Sequence, residues 1–241
     1  TCSLAVMPAD DWLALVLFSA CHDLRQREPV DCPGPTGGNE ASSISETFRI
    51  LDACGFDRTT DRALYVAMEL MIAGSTFDPR LSEASSDTAN LTGGALARSL
   101  GLWLDGGQPM WREDADARRG ERLGRMAADI DTANVGEEFQ LLGVSALQLA
   151  EEQLMRRQLR PEQTESAQQA LNFLSYGQHH YFFDLHRFSS REAERVFGPQ
   201  KLANSEKVRK TSTALMARFE SSPAANGRVV MEAFATLCAK A

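Results

Sequence analysis

No stretch of this chain alternates apolar and polar residues with period two for more than four positions, while stripes of helical period recur from end to end. A half-buried strand needs that alternation, so the chain is predicted to be all-α. The helices separated by breakers number about eight to ten, forming an irregular bundle with two long loops. No fixed-spacing repeat is present, which excludes a solenoid.

The first helix is expected near 9–27, behind Pro8 and the acidic pair Asp10-Asp11, with Trp12, Leu13, Val16, Leu17, Ala20 and Leu24 as its apolar stripe. Glu28 to Ser43 holds three prolines and three glycines and reads as a loop. Ser43-x-x-Glu46 has the form of a capping box opening a short second helix, which Gly55 ends. Residues 60–73 are apolar nearly all round, as in a buried central helix closed by Gly74, and Glu69 alone interrupts them. Ser75 to Gly94 reads as the second long loop.

A short helix follows over Ala95–Leu104, carrying Leu96, Leu100 and Trp103 and stopped by Asp105-Gly106-Gly107. Glu113 to Thr132, with Asp114/Arg118 and Glu121/Arg125 four apart and a narrow apolar stripe, describes a solvated outer helix. Gly136 to Leu159 is the longest periodic segment, with Phe139, Leu142, Ala146, Leu149 and Gln153 on one face. Gln163 to Phe188 is predicted helical with a break at Gly177. Ser189-x-x-Glu192 starts another helix that Gly198-Pro199 terminates, and two tail helices follow, Asn204–Glu220 and one after Ser222-Pro223.

At 241 residues against roughly 150 per domain, a single helical domain over 1–241 is expected, with 199–241 as a candidate basic C-terminal subdomain. The net charge is −8, yet residues 201–241 carry 7 basic and 3 acidic groups, and all four lysines lie there. An acidic surface repels nucleic acid and anionic lipid, so nucleic acid is an expected partner only through that tail. The tail either docks on the acidic remainder or faces a partner.

Five scattered cysteines without a C-x-x-C pair exclude a disulfide framework and a structural zinc site, although one bridge among Cys21, Cys32 and Cys54 is sterically reasonable in an oxidising compartment. The longest apolar run, Trp12–Ala20, is far below the ~20 residues that span a bilayer. Leu17 to Cys21 loosely has the form of a lipoprotein cleavage box, but Asp10 and Asp11 stand where a signal peptide carries cations. It reads as a buried helix. The chain is expected to be soluble, either cytoplasmic or exported after loss of an upstream signal.

Two features could carry chemistry. Between Tyr176 and Phe188, 13 residues hold three of the four histidines and two of the three tyrosines. On a helix His180 and Asp184 lie one turn apart, and His179, Phe183 and His186 line a neighbouring stripe. That set, with Tyr181, is expected to be a packing helix with polar tips or a binding surface; two imidazoles and a carboxylate could also seat a divalent metal or transfer a proton. No established ligand spacing is matched, so neither a metal nor a cofactor is assigned. Glu69, isolated among Met68, Leu70, Met71 and Ile72, is either paired with Arg62 or Arg98 or desolvated into a general acid. G-x-S-x-G and the nucleotide-binding P-loop are absent.

The order Ser75-Thr76-Phe77-Asp78-Pro79 with Ser82, then Gly101-Leu102-Trp103, Asn134-Val135 and Ala170-Leu171 through Tyr176-Gly177, is similar, as a degenerate match, to the motifs of lysozyme-like lytic transglycosylases. Those enzymes place a catalytic Glu directly before the serine, where this chain has Gly74, and the glutamine after the Gly-Leu pair is missing. The resemblance implies glycan cleavage only if Glu69 substitutes. Three functions therefore remain open: a helical interaction module for a protein partner, a hydrolase acting through Glu69, through an acid of the 75–94 loop or through a metal at His179–His186, and a carrier of a small apolar ligand.

Overall fold

The computed structural model describes residues 7–25, 37–78 and 94–241. Of these, 76% are helical, and the fold is all-α. The sole β-pairing described is a two-residue antiparallel ladder, Phe77–Asp78 (β1) with Gly94–Ala95 (β2), in which Phe77 faces Ala95. Residues 28–36 and 79–93, where most of both long loops is expected, lie outside the described residues, as do Cys2 and Cys32. Chain contacts divide into two units, Thr1–Thr132 with Arg187–Ala193, and Ala133–His186 with Glu194–Ala241.

In the N-terminal unit, α1 (Ala9–Cys21), α2 (Gly38–Ala53) and α5 (Ala115–Asp131) pack around α3 (Arg62–Ser75). The all-round apolar character of α3 is realised as burial of Tyr65, Ala67, Met68 and Leu70 to Ala73. Gly74 does not close it. The helix runs one residue further, and a Cβ at Gly74 would sit 3.3 Å from the Gly124 carbonyl oxygen, so this glycine serves close helix approach.

α5 is not the solvated outer helix expected from its charges. Its buried face carries Gly120, Leu123, Gly124, Ala127 and Ala128. The glycines let α3 in: a Cβ at Gly120 would meet Leu70 Cδ1 at 2.7 Å, and one at Gly124 would meet the Leu70 carbonyl oxygen at 2.8 Å. Asp114, expected to pair with Arg118, instead caps α5 through the N–H groups of Asp116 and Ala117 and binds Arg62. The Glu121–Arg125 pair forms as expected, with Nε donating at 2.7 Å.

The apolar stripe expected to bury α1 is the one that faces solvent. Trp12, Leu13, Val16 and Leu24 are exposed, whereas Asp11, Ala14, Leu15 and Phe18 are buried. A helix apolar on every side has no periodicity to choose its inner face. Asp11 chooses it: its carboxylate, buried to 2% exposure, accepts from Arg119 Nε at 2.6 Å and from Arg122. Burial would raise this carboxyl, but the two arginines hold it below the usual aspartate value. The segment from Leu17 to Cys21 is helical, within α1.

The far end of α1 is fixed by His22. Its ring stacks on Phe18, and its nitrogens face the Phe18 carbonyl at 3.1 Å, Asp131 at 3.2 Å and Asp23 at 3.3 Å. Burial alone would lower its pKa; Asp131, Asp23 and the carbonyl push it up to about 9.

α2 begins at Gly38, not at the expected Ser43 cap. Ser43 lies within the helix, and its hydroxyl accepts the Arg25 N–H at 3.1 Å. Gly55 has the expected left-handed φ of 88°. After β2, a 3-10 turn (Leu96–Ser99) leads into α4 (Leu100–Gly107), which runs through the expected Gly106-Gly107 stop. Among the described cysteines, Cys21, Cys54 and Cys238 are free thiols.

In the C-terminal unit, a 3-10 turn (Ala133–Gly136) precedes α6 (Phe139–Arg156), where Phe139, Leu142, Gly143, Ala146, Ala150 and Leu154 are buried and Leu149 points outward. α7 (Ser166–Asn172) continues through a π turn (Phe173–Gly177), α8 (Gln178–His180) and a second π turn (Tyr181–Leu185), with no break at Gly177. α9 (Arg191–Glu220) passes through Pro199, merging two expected helices; Asn204, Val208 and Leu215 are buried along it. Its first residues, with the preceding serines, belong to the N-terminal unit, where the expected cap shifts by one residue: Ser190 Oγ accepts the Ala193 N–H at 3.2 Å, while Asp129 accepts the Ser189 and Ser190 N–H groups at 2.6 and 2.8 Å. α10 (Gly227–Lys240), the helix expected after Ser222-Pro223, is capped by Asn226 and buries Val230 and Phe234.

Candidate functional site

The aromatic and histidine-rich segment is one continuous helix whose two π turns occupy ten residues. The π form makes up well under 1% of residues in soluble proteins and recurs at functional sites. Its outer face carries Tyr176, His180 and Asp184. Tyr176 is 67% exposed and stacks on His180 at 5.7 Å with an interplanar angle of 9°. His180 Nδ1 lies 2.8 Å from Asp184 Oδ2. A carboxylate on one ring nitrogen fixes the tautomer and the orientation of the ring.

The other histidines point elsewhere. His179 packs on Phe183 at 4.6 Å, under the Arg209 guanidinium. His186 is buried to 1%; Lys201 Nζ donates to its Nδ1 at 3.0 Å and to its carbonyl at 2.9 Å. Tyr181 meets the His186 ring edge-on at 5.7 Å. The five expected site residues of this segment thus separate into half-buried His180 paired with exposed Asp184, His179 packed on Phe183, and Tyr181 and His186 together, with His186 held by Lys201. Among the described residues no three His, Cys, Asp or Glu side chains converge as a metal-ion site requires.

Glu69 belongs to the N-terminal unit, whereas all the histidines of the cluster belong to the C-terminal unit. Neither Arg62 nor Arg98 pairs with it: Arg62 is held by Asp114 and Asp116. Burial raises its carboxyl above the ordinary glutamate value with no hydrogen bond or charge to oppose it.

The basic tail spends much of its charge inside its own unit. Arg228 bridges Glu162 at 2.8 Å and Glu151 at 3.7 Å, Lys207 lies over Phe139 and Arg209 over Phe183, and Lys210 pairs with Glu206 at 3.4 Å. A hollow lined by Phe139, Leu142, Phe182, Thr211, Ser212 and Phe234 encloses about 20 Å³, room for about one water. Ligand sites run to roughly 300–1,000 Å³, so this hollow does not seat a carrier's ligand.

No described helix is long and apolar enough to cross a membrane. Comparison with protein-family models, with curated proteins and with solved structures finds no match to this chain.

Proposed function

We propose that the protein is a helical interaction module that engages another protein through the face carrying Tyr176, His180 and Asp184. The observation that carries this reading is the 67% exposure of Tyr176 on a ring stack that is already ordered. Tyrosines set in place before binding are favoured anchors at interfaces, because they add large contact area while losing little conformational freedom. The His180–Asp184 pair supplies a polar flank to that tyrosine. A photo-crosslinking phenylalanine analogue at position 176, irradiated in extract of the source cells, is expected to give one discrete protein adduct. The same probe at the exposed Leu102 of the other unit is the control, and identical adduct patterns from both positions would refute the assignment.

A second reading is favoured by one observation, the unopposed desolvation of Glu69. An acid catalyst of glycan cleavage needs a carboxyl raised above its ordinary value, the direction in which burial moves Glu69. Release of soluble fragments from purified peptidoglycan that disappears in Glu69→Gln would replace the binding reading.

A further inference from the structure

In the N-terminal unit, the first turn of α1 and the first half of α5 enclose an open cleft of about 470 Å³, lined by Pro8, Asp10, Asp11, Ala115, Arg118, Arg119 and Arg122. The three arginines and Ala115 share one face of α5, at the i, i+3, i+4, i+7 spacing that aligns side chains along a helix. Ala115 leaves that end of the face low.

Asp11 orders this face. It takes Arg119 Nε and one Arg122 Nη2, and Arg119 Nη1 donates to the Ala63 carbonyl at 3.0 Å. A guanidinium has five N–H donors, so Arg122, half-exposed at 52%, keeps its Nε and Nη1 groups for another acceptor. Arg118, one turn earlier, is exposed, and its guanidinium makes no hydrogen bond or ion pair among the described residues. Two outward guanidinium groups one turn apart, one of them anchored from behind, are arranged to bind one oxyanion from two sides.

We infer that this cleft binds a small ligand through a single oxyanion head, a phosphate monoester or a carboxylate, held between Arg118 and Arg122. The lining charge limits the ligand's size and charge. Three arginines face two aspartates, and Asp10 remains exposed at the edge, so a polyanion such as nucleic acid meets repulsion that a compact monoanion or dianion avoids. This site is independent of the Tyr176 face.

The experiment follows the arginine side-chain N–H resonances of the full chain during titration with inorganic phosphate, with acetate, and with sodium chloride at matched ionic strength. Phosphate or acetate is expected to shift the Arg118 and Arg122 signals saturably, and chloride is not. Arg118→Gln, which leaves the Asp11 contacts intact, should weaken that binding about tenfold or more, the loss of a charge-assisted hydrogen-bond pair. Asp10→Asn should tighten it by removing a like charge. The stronger response between phosphate and acetate identifies the head group. Equal, unsaturable shifts in all three salts, or phosphate and acetate affinities unchanged by Arg118→Gln, would overturn the inference.

Discussion

Gly124→Ala tests the packing of α3 on α5 most sharply. The added Cβ would stand 2.8 Å from both the Leu70 carbonyl oxygen and Leu100 Cδ2, where ordinary contact begins at 3.4 Å. The Leu100 methyl can swing aside. The carbonyl belongs to the backbone of α3, so relief requires the two helices to part by roughly 0.6 Å along that contact. Overpacking of this kind costs about 1–3 kcal/mol, and the better helix propensity of alanine offsets up to about 1 kcal/mol of it. A net destabilisation of about 1–2 kcal/mol is expected. Because contacts divide the chain into two units, the readout should be local: amide hydrogen exchange of α3 and α5, with a denaturation curve followed in parallel. Gly106→Ala is the control, since nothing lies within 4 Å of a Cβ there; it should be neutral or slightly stabilising. Unchanged protection across α3 and α5 in Gly124→Ala would refute the close-approach reasoning.

Three further outcomes follow from the same contacts. Because the folded His22 pKa of about 9 lies above the ordinary histidine value of 6.5, its contribution is complete below pH 6.5 and is lost as pH rises through 9, a difference worth about 3 kcal/mol. Denaturation midpoints should fall across that window in the parent and much less in His22→Gln, and equal slopes would contradict the assignment. Asp11→Ala removes the buried partner of two partly exposed arginines and should cost about 1–3 kcal/mol by denaturant titration, whereas an unchanged midpoint would show that α1 is not fixed by that cluster. Met68→Asp, which places an unpaired charge at a position with 0% exposure, should cost several kcal/mol, and a parent-like melting curve would place α3 at the surface.

The fold class was legible because helical periodicity and breakers survive any arrangement of the helices. Which face turns inward was legible only where the helix is one-sided, as in α10. On α1 apolar residues surround the axis, so the buried Asp11 with its two arginines decided what periodicity could not. For α5 the misleading signal was its charge density; the informative one was Gly120 and Gly124, four residues apart, which reduce one strip of the helix to backbone. Boundaries moved where a local motif met a stronger partner. Ser43 accepts a backbone N–H from Arg25 inside the helix rather than capping it, and Pro199 sits within a helix anchored by Asn204, whose side chain donates to the carbonyls of Val135 and Glu137 at 3.1 and 2.8 Å. The histidine cluster was visible as composition, and the His180–Asp184 pair follows from its spacing of four. The burial of His186 against Lys201 did not, because that contact depends on how α9 passes the helix end. The arginine face of α5 could have been found from the spacing of Arg118, Arg119 and Arg122, had the Asp114 pairing not absorbed Arg118.

The proposal that the Tyr176 face binds a protein is tested most directly by measuring affinity for the crosslinked partner once purified, comparing the parent with Tyr176→Ala, His180→Ala and Asp184→Ala. The interaction-module reading predicts at least about tenfold weaker binding for Tyr176→Ala and smaller losses for the other two, with circular dichroism and denaturation midpoints unchanged. Affinities equal to the parent's in all three variants would contradict it.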